Sequence, residues 1–249
     1  KSVTLPNDIL KEVIRQTVIA VSKQESRPIL AGVHMTLKDG VLTAVATDSH
    51  RLAQRKVVLE NIDNDIDFDV IIPGKSMEEL SGMISDVHED VQMQVTENQV
   101  LFIFGNTHFY SRLLEGNYPE TSQLIPQTAD TTVELEAGTF LSSIERASLL
   151  SHESRNDVVK LSLKPSENLV RISGDSPDIG TVEEEVVTSA LDGNDLEISF
   201  NPNYMKDALR SFGQATIKIS FTSPLRPFTL VPTEDQENFV HLITPVRTF

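Results

Sequence analysis

"NDILKEVIRQTVIAVS" (residues 7–22) sets the reading of the whole chain. Ile9, Leu10, Val13, Ile14, Val18 and Val21 recur at i, i+3, i+4 spacing, which gathers them on one face of an amphipathic α-helix. The segment follows Pro6, and Asn7 or Asp8 is the expected cap. "GTFLSSIERASLL" (residues 138–150) repeats the spacing with Phe140, Leu141, Ile144, Ala147 and Leu150, and Thr139 is its expected N-cap. The triplet Glu25-Ser26-Arg27 returns as Glu153-Ser154-Arg155, 128 positions on. Two further helical segments, "GKSMEELSGMI" (74–84) and "NPNYMKDALRSF" (201–212), place Leu80 and Leu209 129 positions apart. The apolar ends Val95 and Phe221 are 126 apart. An offset this constant indicates a duplicated unit of about 125 residues. Each half reads helix, strands, helix, strands.

The strands alternate at period two. Val91, Met93 and Val95 form one set, and Val159, Leu161 and Leu163 a second. Leu196, Ile198 and Phe200 form a third, and Ile217, Ile219 and Phe221 a fourth. Turn signals stand at "KDG" (38–40), "KPSEN" (164–168) and "LDGND" (191–195). The halves are expected to meet in "LIPQTADTTVE" (124–134), giving domains 1–125 and 126–249 joined by a short linker. The fold class is α+β.

With 249 residues, 39% of them hydrophobic and 23% charged, the chain has the composition of a globular protein with packed cores. No run is long and apolar enough for a membrane span, and "KSVTLPNDIL" has no signal-peptide core. Cysteine is absent, which excludes disulfides, thiol catalysis and zinc–thiolate sites and is compatible with a reducing cytoplasm. The net charge of −16 opposes nucleic-acid binding by the chain as a whole. A DNA role then requires that basic residues segregate onto one face, or that binding does not rest on affinity.

"ATDSHRLAQRKV" (46–57) sets Asp48, Ser49 and His50 side by side. Triad residues meet in space, not in sequence, and Ser49 lacks the G-x-S-x-G elbow. On a strand Asp48 and His50 share a face, which leaves an acid–base pair in an inter-domain cleft of a hydrolase-type enzyme as an alternative. "PGKS" (73–76) is no phosphate loop, because Asp69 stands where the first glycine is required. The six histidines fall in no metal-ligand spacing, so no metal and no cofactor are expected. Three clusters remain: the C-terminal stretch, which either completes a final strand or leaves it to line a surface groove, a second proline-bearing loop, and Asn201 with Tyr204 at the start of the fourth helix. The terminal "HLITPVRTF" is apolar to its end, whereas an undocked tail is normally polar. "EGNYPETSQLIP" (115–126) puts a second proline-bearing loop at the domain boundary. A plain protein-interaction module is the other alternative.

"ATDSHRLA", "SRLLEGNYPETSQLIP", "FNPNYMKDAL" and "LITPVR", in this order and spacing, resemble the bacterial replicative sliding clamp family, the beta subunit of DNA polymerase III. The resemblance covers all 249 residues. It implies clamp domains with the processivity fold, each with two channel-lining helices packed on antiparallel sheets. Members carry three such domains and close as a head-to-tail homodimer around duplex DNA. This chain resembles the second and third, with the first expected to be missing, as the absence of an initiator Met also suggests. A fragment of that kind is not expected to close a ring. The implied role is non-enzymatic: a cytoplasmic processivity factor, holding DNA by topology, for which net acidity limits sticking.

The resemblance further implies that Lys11, Arg15, Lys23, Gln24, Arg27, Lys75, Arg146, Arg155, Lys206 and Arg210 face DNA, although Glu12, Glu78 and Glu145 dilute the pattern. Leu149 and Leu150 match positions that meet the other subunit, with burial in their own helix as the simpler expectation. Partners would be the polymerase III alpha subunit, clamp-loader subunits, and other polymerases or repair proteins. They would insert Q-L-x-L-F-like peptides into a groove between the two domains. Matching positions are Leu30, Thr47, Ser49, His50, Arg51, Leu52, Pro119, Gln123, Leu124, Asn201, Tyr204, Leu225, Leu242, Ile243, Pro245, Val246 and Arg247. Leu52, Leu124, Leu242, Pro245 and Val246 would supply a dry pocket. His50, Arg51, Asn201 and Arg247 would offer hydrogen bonds at the rim. Departures fall at Ser49, where some members have Gly, at Gln123, where some have Arg, and in the tail Thr248-Phe249.

Overall fold

The computed structural model describes residues 1–151 and 157–248. Arg155 and the Glu153-Ser154-Arg155 triplet lie outside the described residues, as does Phe249. The chain divides into an N-terminal unit, Lys1–Glu120 with Glu237–Phe239, and a C-terminal unit, Thr121–Gln236 with the residues from Val240 onward.

The N-terminal unit runs β1 (Ser2–Pro6), α1 (Asn7–Thr17), β2 (Gly32–Lys38), β3 (Val41–Thr47), β4 (Arg51–Val58), β5 (Phe68–Pro73), α2 (Gly74–Met83), β6 (Asp90–Val95), β7 (Gln99–Phe104) and β8 (Thr107–Arg112). Its strands pair antiparallel in the orders β1-β6-β7-β8 and β5-β2-β3-β4. The C-terminal unit runs β9 (Thr131–Glu136), α3 (Ala137–Ser151), β10 (Val159–Lys164), β11 (Leu169–Ser176), β12 (Gly180–Glu185), β13 (Ala190–Gly193), β14 (Leu196–Phe200), α4 (Pro202–Phe212), β15 (Thr216–Phe221), β16 (Phe228–Pro232) and β17 (Phe239–Ile243). Its orders are β9-β15-β16-β17 and β14-β10-β11-β12, again antiparallel, with β13 added on the outer side of β9. Apart from β13, element follows element in the same order and the same pairing, so the duplication read from the offsets is a duplication of topology.

Alternation explains the cores. Val91, Met93 and Val95 turn inward from β6, as do Val159, Leu161 and Leu163 from β10. Helix α1 sets Leu10, Val13 and Ile14 against this layer, each at most 1% exposed. Burying each such side chain contributes about 1.5–3 kcal/mol relative to leaving it in water. Helix α2 adds Met77 and Leu80. In the C-terminal unit Phe140, Ile144, Met205 and Leu209 play the same part, over a cluster in which Phe228 meets Phe200 edge-on at 5.7 Å and Phe221 at 5.1 Å. "KDG" forms a tight β2–β3 hairpin in which Asp39 and Gly40 both have positive φ (50° and 79°).

Several local expectations are corrected. Neither Asn7 nor Asp8 is the helix cap: α1 begins at Asn7 directly after Pro6. The Asn7 amide is buried instead, donating to the Ser85 and Val87 carbonyls (both 2.8 Å) and accepting the Glu89 N–H (3.2 Å). Thr139 is not a cap either, since α3 already starts at Ala137. The α3 stripe is not wholly apolar. Leu141 and Leu150 are only partly buried, whereas Ser143, Ser148 and Ser151 are buried. Small side chains suit this face because α3 lies close to β11: a Cβ added at Gly174 would stand 2.0 Å from the Ala147 carbonyl oxygen. Burial in its own helix does not hold for Leu149, which is 67% exposed. "LDGND" is no simple turn, because Leu191, Asp192 and Gly193 belong to β13. No helix among the described residues is long and apolar enough to cross a membrane.

Candidate functional site

The Asp48–Arg51 turn joins β3 to β4 and is built by the Asp48 carboxylate. Asp48 Oδ1 accepts the backbone N–H groups of His50 (2.9 Å) and Arg51 (3.0 Å), and Oδ2 accepts Arg51 Nε (3.1 Å). The pair is well shielded, with side chains 13% and 12% exposed. Thr47 Oγ1 donates to the Arg51 carbonyl (2.7 Å) and accepts the Ser49 N–H (3.3 Å). Asp48 is thus spent on clasping a turn, with Arg51 as its ionic partner. The extended geometry expected for Asp48 to His50 is absent: the chain bends there, and Ser49 has φ 78°. That left-handed conformation favours glycine. Ser49 and His50 are exposed, and Ser49 Oγ accepts a hydrogen bond from Arg27.

Tyr118 holds the next loop to this turn. Its phenolic oxygen accepts the Thr47 N–H (3.0 Å), and its ring stacks on His34 (centroids 4.8 Å, 25°), which bonds Asp69 (2.7 Å). Burial pushes the phenol up to about 12; the Thr47 hydrogen bond opposes this and the Asp48 charge adds to it. Tyr118 lies within "EGNYPETSQLIP", where no motif assigns the tyrosine a role. An aromatic flanked by Asn117 and Pro119 was the available signal. Pro119 itself is exposed.

In the C-terminal unit Asn201 caps α4, its Oδ1 accepting the Asn203 N–H (2.8 Å). Asn203 donates to Asp157 (2.9 Å), which also receives Ser151 Oγ (3.1 Å). Tyr204 is half-buried on the first turn of α4. The tail docks on β14, with the Val246 N–H donating to the Ser199 carbonyl (2.8 Å) and Ser199 Oγ meeting Thr248 Oγ1 (3.2 Å). This explains an apolar terminus: its backbone is anchored. Ser199 was missed because a buried serine inside the alternating Leu196–Phe200 run carries no motif. The apolar positions divide by exposure. Leu30, Leu52, Leu242 and Ile243 are buried, at 5% exposure or less. Leu124 (52%), Leu225 (57%) and Val246 (37%) are open to solvent, and Pro245 is half-buried. Gln123 and Arg247 are exposed.

The helices carry a distinct charge balance. Lys11, Arg15, Lys75, Arg146, Lys206 and Arg210 are matched by Asp8, Glu12, Glu78, Glu79, Glu145 and Asp207, six cations against six anions. The net −16 therefore resides outside these four helices. Several of the cations have local partners. Lys11 meets Asp86 (3.0 Å), and Arg210 meets Asp207 (3.5 Å) and Glu145 (3.7 Å). Arg146 Nε donates to Glu184 (2.8 Å). That contact holds the Glu184 carboxyl below its usual range, against partial burial, with help from Ser143. Lys23, Gln24, Arg27 and Lys75 are exposed, as is Arg15.

A family model described as the DNA polymerase III beta subunit, central domain, matches residues 4–120, and one described as its C-terminal domain matches residues 122–247. The chain belongs to the DNA polymerase III beta subunit family. It is 50% identical over 248 residues to the Beta sliding clamp of Bacillus subtilis, covering 100% of this chain and 65% of that protein. Against the Beta sliding clamp of Halalkalibacterium halodurans it is 47% identical over 246 residues, covering 98% of this chain and 64% of the other. The crystal structure of the DNA polymerase sliding clamp from Bacillus subtilis matches with a TM-score of 0.95 at 49% identity, over 100% of this chain and 65% of that one. The chain thus spans just under two thirds of the length of these beta subunit relatives.

Proposed function

We propose that the chain supplies two of the domains of a DNA sliding clamp, a non-catalytic tether that encircles duplex DNA as a homodimeric ring and keeps the replicative polymerase on its template in the cytoplasm. The observation that carries the DNA role, beside the family, is charge segregation: a chain of net −16 keeps its four helices neutral. A ring holding DNA by topology needs weak, salt-screened contacts rather than a strongly basic face. Lys11, Arg15, Lys23, Gln24, Arg27, Lys75, Lys206 and Arg210, with Arg146 and Arg155, are the proposed DNA-facing set. Exposed Leu149, with Leu150, is the proposed contact with the second subunit. The test is retention of the assembled clamp on nicked circular DNA against linear DNA. Lys11→Ala with Arg15→Ala should lower loading or retention; unchanged behaviour removes these residues from the DNA face.

The same proposal assigns peptide docking to the exposed Leu124, Leu225 and Val246, the rim groups His50, Arg51, Asn201 and Arg247, and the buried residues beneath them. The polymerase alpha subunit, loader subunits and repair factors bearing Q-L-x-L-F-like peptides are the proposed partners. Support comes from an anchored apolar tail and an Asp48-clasped turn that leaves Ser49 and His50 outward. Both are ways of presenting side chains on rigid backbone. A labelled Q-L-x-L-F peptide should bind the 249-residue chain, and deletion of residues 245–249 should abolish binding while both units remain folded by circular dichroism, with a modest loss of stability in the C-terminal unit from the tail contacts to Ser199. Binding that survives the deletion overturns the assignment. The hydrolase alternative has little left to stand on, since both Asp48 oxygens are engaged in the turn.

A further inference from the structure

The two units differ at one sheet edge. In the C-terminal unit β13 lies antiparallel on β9, with Ala190 opposite Glu134 and Gly193 opposite Thr131. Buried Val133 and Leu135 of β9 match buried Val3 and Leu5 of β1, the same step before each first helix. Yet β1 is the end strand of its sheet, with β6 as its neighbour. The N-terminal amine of Lys1 donates to the Val95 carbonyl (3.1 Å), and the Val95 N–H returns to Lys1 (2.7 Å). In an antiparallel ladder this alternates, so Lys1, Val3 and Leu5 face β6 while the backbone groups of Ser2 and Thr4 face away. Glu134, the counterpart of Thr4, uses its outward carbonyl to accept the Ser189 N–H (2.8 Å) beside β13.

The connections that follow the fourth strand differ in the same sense. Residues 186–195 return to the edge of β9 as β13; residues 59–67, of similar length, form no strand on β1. An open groove of about 630 Å³ lies beside β1 in their place. Ile9, Ile62 and Val58, the last 71% exposed, give it an apolar side. Glu60, Asp63 and Asp90 line it as well, and among the described residues no Lys or Arg does.

We propose that the β1 edge of the N-terminal unit accepts an extended segment of a partner protein as an added antiparallel strand, in the position that β13 occupies on β9. The chemistry of the groove specifies the segment. Its backbone pairs with Ser2 and Thr4. One set of alternate side chains is β-branched and apolar, to cover Val58 and Ile62, and the other set is Lys or Arg, to meet the acidic rim. The surface uses none of the residues assigned above to DNA or to the Q-L-x-L-F peptide.

The test uses a fluorescein-labelled, end-capped octapeptide of alternating Val and Lys, titrated into the 249-residue chain at 0.15 M salt on the order of the physiological Debye regime. The expected result is saturable binding, with the Ser2 and Thr4 amides gaining protection from hydrogen exchange. Thr4→Pro removes one edge donor at a place where an edge strand tolerates proline, and should weaken binding about tenfold. Val58→Asn, at an exposed site, should do so without disturbing the fold and without adding a charge that attracts the lysines. A peptide of the same composition with its Val and Lys residues in two blocks separates strand addition from attraction of any cation to an acidic chain. Equal binding of the two peptides, no binding, or binding indifferent to both substitutions overturns the proposal.

Discussion

The two units place the same strands in the same order and yet solve the seating of their first helix differently. In the N-terminal unit α1 meets its sheet through Leu10, Val13 and Ile14, and the β3 position matching Gly174 is Ala46, buried without difficulty. In the C-terminal unit α3 presents Ala147 and buried serines, and β11 yields Gly174 so that helix backbone and strand backbone touch. Topology therefore follows from where apolar residues recur, and the closeness of the layers follows from a few small residues. The turns repeat the lesson. The Asp48-clasped turn of the N-terminal unit is polar and closed by its own carboxylate, whereas its counterpart after β11, Pro177 to Ile179, leaves Ile179 59% exposed.

The sharpest way to break this comparison is Gly174→Ala. The new methyl would strike a backbone oxygen, and overpacking of this kind should cost the C-terminal unit about 3 kcal/mol. The reverse exchange, Ala46→Gly, should cost the N-terminal unit about 1 kcal/mol, from chain entropy. Unit-resolved hydrogen exchange in urea reads both, and a tolerated Gly174→Ala would show that the layers are not in contact there.

Tyr118→Phe comes next. It strips the Thr47 N–H of its acceptor and should cost the N-terminal unit about 1–2 kcal/mol, with faster exchange at Thr47. The same residue predicts alkaline behaviour. A phenol pushed up from 10.0 to about 12 in the folded state gives stability that is complete below pH 10 and is lost as pH rises through 12. The loss should approach about 2–3 kcal/mol and should vanish in the phenylalanine variant, as followed by pH-dependent unfolding.

Ser49→Gly should stabilise the turn by about 1 kcal/mol, since Ser49 sits at φ 78°. A neutral or destabilising result in thermal unfolding would mean that the Ser49–Arg27 hydrogen bond outweighs the backbone strain.

The smallest effect belongs to Glu184. Its carboxyl is held low by Arg146, so its contribution is present above the ordinary carboxylate range and is lost as pH falls through its lowered value. Glu184→Gln should make the acid limb of the C-terminal unit's stability shallower while leaving the N-terminal unit unchanged.

Much of this architecture was legible in residue order. Helical spacing located four helices, period-two runs located the strands that carry the cores, and a near-constant offset exposed the duplication. What spacing located least well was the ends of elements. Thr139 looked like a cap because threonine caps often, yet the backbone of β9 runs straight into α3 at Ala137. "LDGND" looked like a turn because Asp, Gly and Asn mark turns, yet Gly193 closes an edge strand that a neighbouring strand recruits. Among the candidate site residues, Asp48 to Arg51 was found by motif, but its purpose as a turn clasp needed the distances.

The sequence by itself determined that two copies of one α+β unit are present, because hydrophobic periodicity is a local property that each segment carries with it. Only the tertiary structure decided which polar groups are spent inside the fold and which remain to act. Asp48, Tyr118 and Ser199 are consumed by contacts with backbone, while Leu124 and the β1 edge stay exposed. For Tyr118 and Ser199 that division depends on hydrogen bonds between residues far apart in the chain, which no local pattern encodes; for Asp48 it depends on a bend that brings the i+2 and i+3 backbone onto its own carboxylate.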